Sequence, residues 1–222
     1  MKYLLLLFPF LLFSQNEIIE KVEADSLYRE DQFYFGLTYN LMQDKPQSFA
    51  QNGLSSGVTI GFMRDMPINK ERTWAIATGL GYSYNNIKHN IRVDAINNEY
   101  FYSIDNGFQK NNLVLHYVEL PIELRWRNST PISHKFWRVY TGFKFNYLFA
   151  SQSKFISDTE NIKIKNNSSL NKLVFGPYLA IGYNSINLYT YYGLVPVFKE
   201  QKIGNNDLNL RSFNIGFQFY IL

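Results

Sequence analysis

Over most of the chain, apolar and polar side chains alternate one for one. The stretch from Tyr117 to Arg127, YVELPIELRWR, shows this clearly. Val118, Leu120, Ile122, Leu124 and Trp126 fall on one parity, and Glu119, Pro121, Glu123, Arg125 and Arg127 on the other. A period of two marks an extended strand whose faces see different surroundings. Eight segments read this way: 32–42, 54–66, 72–85, 113–127, 136–150, 171–183, 186–198 and 208–222. Most are longer than the ~5–6 residues of an ordinary globular strand. They suit a tilted strand, which needs about 9–11 residues to cross a bilayer. The connections alternate as well. Those at 43–53, 86–112, 151–170 and 199–207 are long and rich in Asn, Ser, Asp and Lys, and those at 67–71, 128–135 and 184–185 are short. Long loops on one side and short turns on the other are the rhythm of an outer-membrane barrel.

Glycine decides which face turns inward. Ten of the thirteen glycines lie inside the predicted strands: Gly36, Gly57, Gly61, Gly79, Gly81, Gly142, Gly176, Gly182, Gly193 and Gly216. All ten sit on the parity opposite the aromatic and aliphatic side chains. A narrow eight-stranded barrel has room inside only for packed side chains, and small residues must alternate there with large ones. A soluble sandwich or lipocalin-like barrel would turn its greasy face inward and would not confine glycine to the polar face. The pattern therefore predicts an all-β fold, an eight-stranded antiparallel up-and-down transmembrane β-barrel with its apolar face toward lipid. The expected location is the cell outer membrane. Such a barrel is too narrow for a general diffusion porin.

Composition adds to this picture. Aromatics make up 18% of the chain, about twice the ordinary share. Trp74, Trp126 and Trp137 fall at the short-turn ends on the outward parity, and Tyr82, Tyr84, Tyr147 and Tyr183 lie near other strand ends. These are interfacial-girdle positions. The N-terminus, MKYLLLLFPFLLFSQ, has one Lys, an apolar run and then Ser14. It reads as a signal peptide over residues 1–14, too short to span a bilayer as a helix. Residues 15–31 then form an acidic periplasmic tail, and 32–222 the barrel. The net charge of +4 is modest and scattered, so no nucleic-acid surface is expected. With no cysteine, disulfides and thiolate metal sites are excluded.

The stretches DQFYFGLTYN, MRDMPINKERTWAIATGLGYSYN, YVELPIELRWRNSTP, FWRVYTGFKFNYLF and the terminal IGFQFYIL resemble the PorT group of Bacteroidota outer-membrane barrels, whose counterpart in gliding bacteria is SprT. The resemblance covers nearly the whole mature chain. It implies a non-enzymatic accessory role in type IX protein secretion, and in gliding motility where present, with other secretion-system proteins as partners. It carries over no catalytic residue. The alternative is a structural or adhesive barrel acting through its extracellular loops.

The strand charges are candidates for an interior ion-pair network: Glu119, Glu123, Arg125, Arg127, Arg138 and Lys144. Pairing 127 with 136 across the hairpin would set Glu119 opposite Lys144, and Glu123 opposite Tyr140 and diagonal to Arg138. Cross-strand neighbours of this kind are within reach, and buried charges need partners. Pro121 removes a ladder hydrogen bond and predicts a local irregularity. His89, His116 and His134 are dispersed and form no metal cluster. A lipid hydrolase would need a Ser–His pair near the outer rim, for which His116 with Ser151 or Ser153 is the available set. No cofactor and no small-molecule substrate are expected, and outer-membrane lipid is the expected surrounding. The short turns carry Arg64, Lys70, Arg72, Arg127, Lys135 and Arg138, a basic rim near which the acidic tail is expected to dock, unless it engages a periplasmic partner.

Overall fold

The computed structural model describes residues 31–51, 53–97, 99–128 and 137–221. The signal segment, the tail before Asp31, His134 and Lys135 lie outside the described residues. In chain order the strands are β1 (Gln32–Gln43), β2 (Ser56–Pro67), β3 (Trp74–Lys88), β4 (Ile91–Ile96), β5 (Glu99–Ile104), β6 (Lys110–Arg127), β7 (Trp137–Ile156), β8 (Asn161–Lys165), β9 (Leu173–Tyr183), β10 (Ile186–Tyr192), β11 (Lys202–Ile203), β12 (Asn206–Asp207) and β13 (Arg211–Ile221).

Eight of these close a ring. The antiparallel order β6-β3-β2-β1-β13-β10-β9-β7 is sealed by pairing of β6 with β7. Closure leaves the ring without an unpaired edge. Side chains alternate between buried and exposed along each ring strand. In β1, for example, Tyr34, Gly36 and Asn40 are buried while Phe33, Phe35, Leu37 and Tyr39 are exposed. The exposed set forms an apolar wall. From Trp74 to Tyr84 the outward residues of β3 rise ten positions, about 25 Å at the usual rise and tilt. Trp74 pairs across from Trp126 at the lower edge, and Trp137 packs on Tyr183 there with ring centres 5.6 Å apart.

The strand glycines share the parity of the buried side chains. At Gly81 the reason is close: a methyl group there would overlap the hydroxyl end of Tyr34, whose ring lies over Gly61 and Gly81. Gly193 is the exception to strand placement. It follows the last residue of β10, and its N–H donates to Ser212 O at 2.7 Å.

Several strand limits differ from the sequence expectation. The segment 186–198 stops being a strand at Tyr192. Pro196 has no N–H for a ladder, and the adjacent Val197 and Phe198 are both buried, which alternation forbids. Likewise, 208–222 becomes a strand only at Arg211, because Leu208 and Leu210 turn inward over the barrel mouth. The segments 113–127 and 136–150 are extended instead, to Lys110 and Ile156. Three of the long connections are not simple loops. β4 and β5 form a hairpin, β8 adds to β7, and β11 pairs with β12.

Together these connections close the upper end of the barrel. Their apolar residues form one core with the inward residues of the strand tops, including Met42, Ile87, Ile91, Val93, Tyr102, Leu113, Leu115, Leu148, Leu170, Phe198 and Leu208. Tyr102 packs on Phe198 at 5.3 Å and its hydroxyl accepts from Asn167 Nδ2 at 2.9 Å. Outside this core, Arg92 on β4 ties the β4–β5 hairpin to the β7–β8 turn through Asp94, Asp105 and Glu160.

Candidate functional site

Among the described residues, the buried charges gather in the lumen below the apolar cap. β2 brings Asp65, β6 brings Glu119, Glu123, Arg125 and Arg127, and β7 brings Arg138 and Lys144, all nearly inaccessible. Each lies on the inward parity of its strand, so the alternation that makes the wall greasy also delivers the charges. Asp65 receives Arg127 at 2.9 and 2.7 Å and Arg125 at 3.1 Å. Arg125 also donates Nε to Glu123 Oε2 at 2.7 Å, while Tyr220 donates to Glu123 Oε1 at 3.0 Å. The Arg125 guanidinium lies 4.7 Å from the Tyr140 ring centre. One layer up, Lys144 Nζ donates to Glu119 Oε1 at 2.9 Å, between the rings of Tyr189 and Tyr191.

The β6–β7 register is two residues from the expected one. Arg127 faces Arg138, Glu123 faces Gly142, and Glu119 faces Asn146, while Lys144 stands opposite Pro121. At the lower end of this pair, Asn128 Oδ1 accepts from Trp137 N at 2.8 Å. A slip of two preserves the face of every side chain, so Lys144 still reaches Glu119 along the diagonal. Pro121 leaves a gap in the β3–β6 pairing between Thr78 and Gly81.

Asp65 is a lumen residue outside the set expected from the strand charges. Its signal was its parity, shared with Gly57 and Gly61 on the same strand. Conversely, Arg127 and Arg138 do not belong to an exposed basic rim, since both are buried beneath the lower mouth. Arg64 and Lys70 remain exposed there and Arg72 half-exposed.

The serine–histidine pairing is not formed. His116 faces outward, with Nδ1 2.8 Å from the Tyr82 hydroxyl. Ser151 is buried on the inward side opposite Leu115. A register shift between His116 and Tyr117 separates them: Tyr117 pairs with Leu148 and His116 with Ala150, leaving Phe149 as an extra, outward residue. Above this bulge the inward positions of β7 become odd-numbered. His89 is enclosed in the cap, where its Nδ1 accepts from Ile91 N at 3.1 Å. Burial lowers its pKa from 6.5 to about 4. Among the described residues no group of three His, Cys, Asp or Glu side chains is arranged to hold a metal.

The filled lumen leaves small spaces of about 20 Å³, beside Glu119, Lys144 and Asn146, and about 10 Å³, beside Tyr34 and Glu123. Each suits a single water molecule. Among the described residues, the arrangement can hold strands in register and fill the lumen.

No curated protein matches the chain. Among solved structures, the chain is similar to the attachment invasion locus protein Ail of Yersinia pestis, at 10% identity and a TM-score of 0.40, over 87% of this chain and 100% of that one. Ail in complex with the heparin analogue sucrose octasulfate aligns at 11% identity and a TM-score of 0.37, with the same coverage. Residues 13–199 match the family described as outer membrane protein beta-barrel domain. The chain thus belongs to the outer membrane protein beta-barrel domain family and resides in the outer membrane.

Proposed function

We propose that this protein is a sealed, non-enzymatic barrel that presents a folded extracellular platform to partners. The observation that carries this reading is the shared core of the long connections, which turns the upper end into an ordered surface rather than an open mouth. The ion network below it blocks the lumen a second time. Replacing the β4–β5 hairpin by a short Gly-Ser turn tests the proposal. The barrel should keep its heat-modifiable gel migration while surface binding or secretion is lost. Unchanged surface phenotypes in that variant would overturn the reading.

The resemblance of RDMPIN and FWRVYTG to the PorT group supports a finer reading, in which the platform serves type IX secretion. Deletion of the gene separates the two. Loss of the secretome and of gliding supports the secretion role, whereas normal secretion with altered surface adhesion supports a structural or adhesive role.

A further inference from the structure

We infer that the outer wall above the upper aromatic girdle is a docking surface for the phosphorylated headgroups of outer-leaflet glycolipid. Four adjacent strands bring lysines to one band. Lys88 of β3 pairs with Asn112 of β6, Asn112 with Lys154 of β7, and Lys154 with Lys163 of β8. Lys165 lies two residues along, opposite Gln152, and Lys110 lies two residues beyond Asn112. The Phe149 bulge is what turns Lys154 outward into this row.

Position and charge together name the occupant. Tyr82, Tyr84, His116 and Phe149 pack on one another directly below and mark the upper limit of the apolar wall. Lys88 lies four residues above Tyr84 on the same face, about 10 Å up at the usual rise and tilt, which is headgroup height. Among the described residues none of the five lysines makes an ion pair, whereas nearby Asp94 and Glu160 are engaged by Arg92. Like charges directly opposite on adjacent strands are unfavourable. Lys154 and Lys163 stand in that relation, and an anion between them reverses its sign. A surface groove lined by Asn86, Lys88, Phe108, Lys110 and Asn112 opens beside the row, large enough to admit a sugar-phosphate group. The lysine row is continuous with the lipid-facing wall, so the phosphates it meets are those of the lipid rather than free anions.

The test uses the folded barrel in phosphatidylcholine vesicles, plain or containing diphosphorylated lipid A or the same glycolipid with its phosphates removed. Unfolding in urea is followed by gel mobility. The phosphorylated glycolipid should slow wild-type unfolding by roughly ten-fold or more, since each surface lysine near anionic lipid is worth about five-fold. Lys154→Gln/Lys163→Gln/Lys165→Gln should lose most of that slowing and still fold, because all three side chains are on the outer surface. Lys202→Gln, on the cap, should keep it. Equal slowing by the dephosphorylated glycolipid, full slowing in the triple variant, or the same effect from inorganic phosphate in plain vesicles would each overturn the inference.

Discussion

Asp65 holds Arg127 through both carboxylate oxygens, at 2.9 and 2.7 Å, although they sit on strands separated by β3. The contact spans the lumen floor rather than a hydrogen-bonded ladder, so it ties together parts of the ring that backbone pairing leaves unlinked. Removing one partner strands a buried charge, at a cost of about 3–5 kcal/mol. Asp65→Ala should therefore lower the urea stability of the folded barrel by that order. Asp65→Leu combined with Arg127→Met should cost less than the sum of the two single changes, a coupling that a double-mutant cycle reads directly.

Tyr34 and the glycines opposite it predict a selective rescue. Gly81→Ala meets the end of the Tyr34 side chain, while Gly79→Ala meets the backbone of Phe62 and Met63. Overpacking of this kind costs about 1–3 kcal/mol. Tyr34→Phe removes the nearest atom and should restore much of the stability of Gly81→Ala. It should do nothing for Gly79→Ala. Unfolding midpoints of the three single variants and the two doubles check this.

The wall and the lumen should respond oppositely to the same residue type. Leu120 is exposed on β6, midway between Trp126 and the upper girdle, and its neighbour Glu119 accepts a hydrogen bond from Lys144 inside. Leu120→Arg should destabilise the barrel in vesicles by about 2–4 kcal/mol, the cost of a cation at the bilayer midplane. Leu120→Phe should be close to neutral.

The cap should loosen in acid. His89 stays neutral when enclosed, with its pKa lowered to about 4, and takes up a proton near 6.5 once exposed. The open state therefore binds more protons between these values. Closure is at full strength above pH 6.5 and weakens as the pH falls toward 4, by about 3 kcal/mol at the limit. Hydrogen exchange of the β4–β5 amides should accelerate over that window, and His89→Asn should flatten the response.

The ring was legible in the sequence because its code is local. Each strand carries its own period of two, and Gly57 and Gly61 declare the inward face of β2 without reference to any other segment. The cap was less legible because its core gathers single residues from separate connections, such as Leu170, Phe198 and Leu208, which carry no periodic pattern. The β4–β5 hairpin did carry a signal. Ile91, Val93, Tyr100, Tyr102 and Ile104 alternate around Asn97, whose φ of 50° suits a tight turn. The polar residues flanking it give the same stretch the composition of a solvated loop, which masks that signal. The β6–β7 register and the Phe149 bulge were hidden for a different reason: both depend on how two strands meet, and neither strand alone records it.

That bulge gives the wall a splice point. Phe149 has no partner position of its own on β6, so a chain lacking it could pair the same residues above and below, with Lys154 still outside and Phe155 still inside. Loss of Phe145 has no such outlet: either Asn146 would be driven into the lipid or the strand below would turn over. Insertions and deletions near residue 149 can thus vary the length of β7 while the message on each side of the wall continues to read in frame.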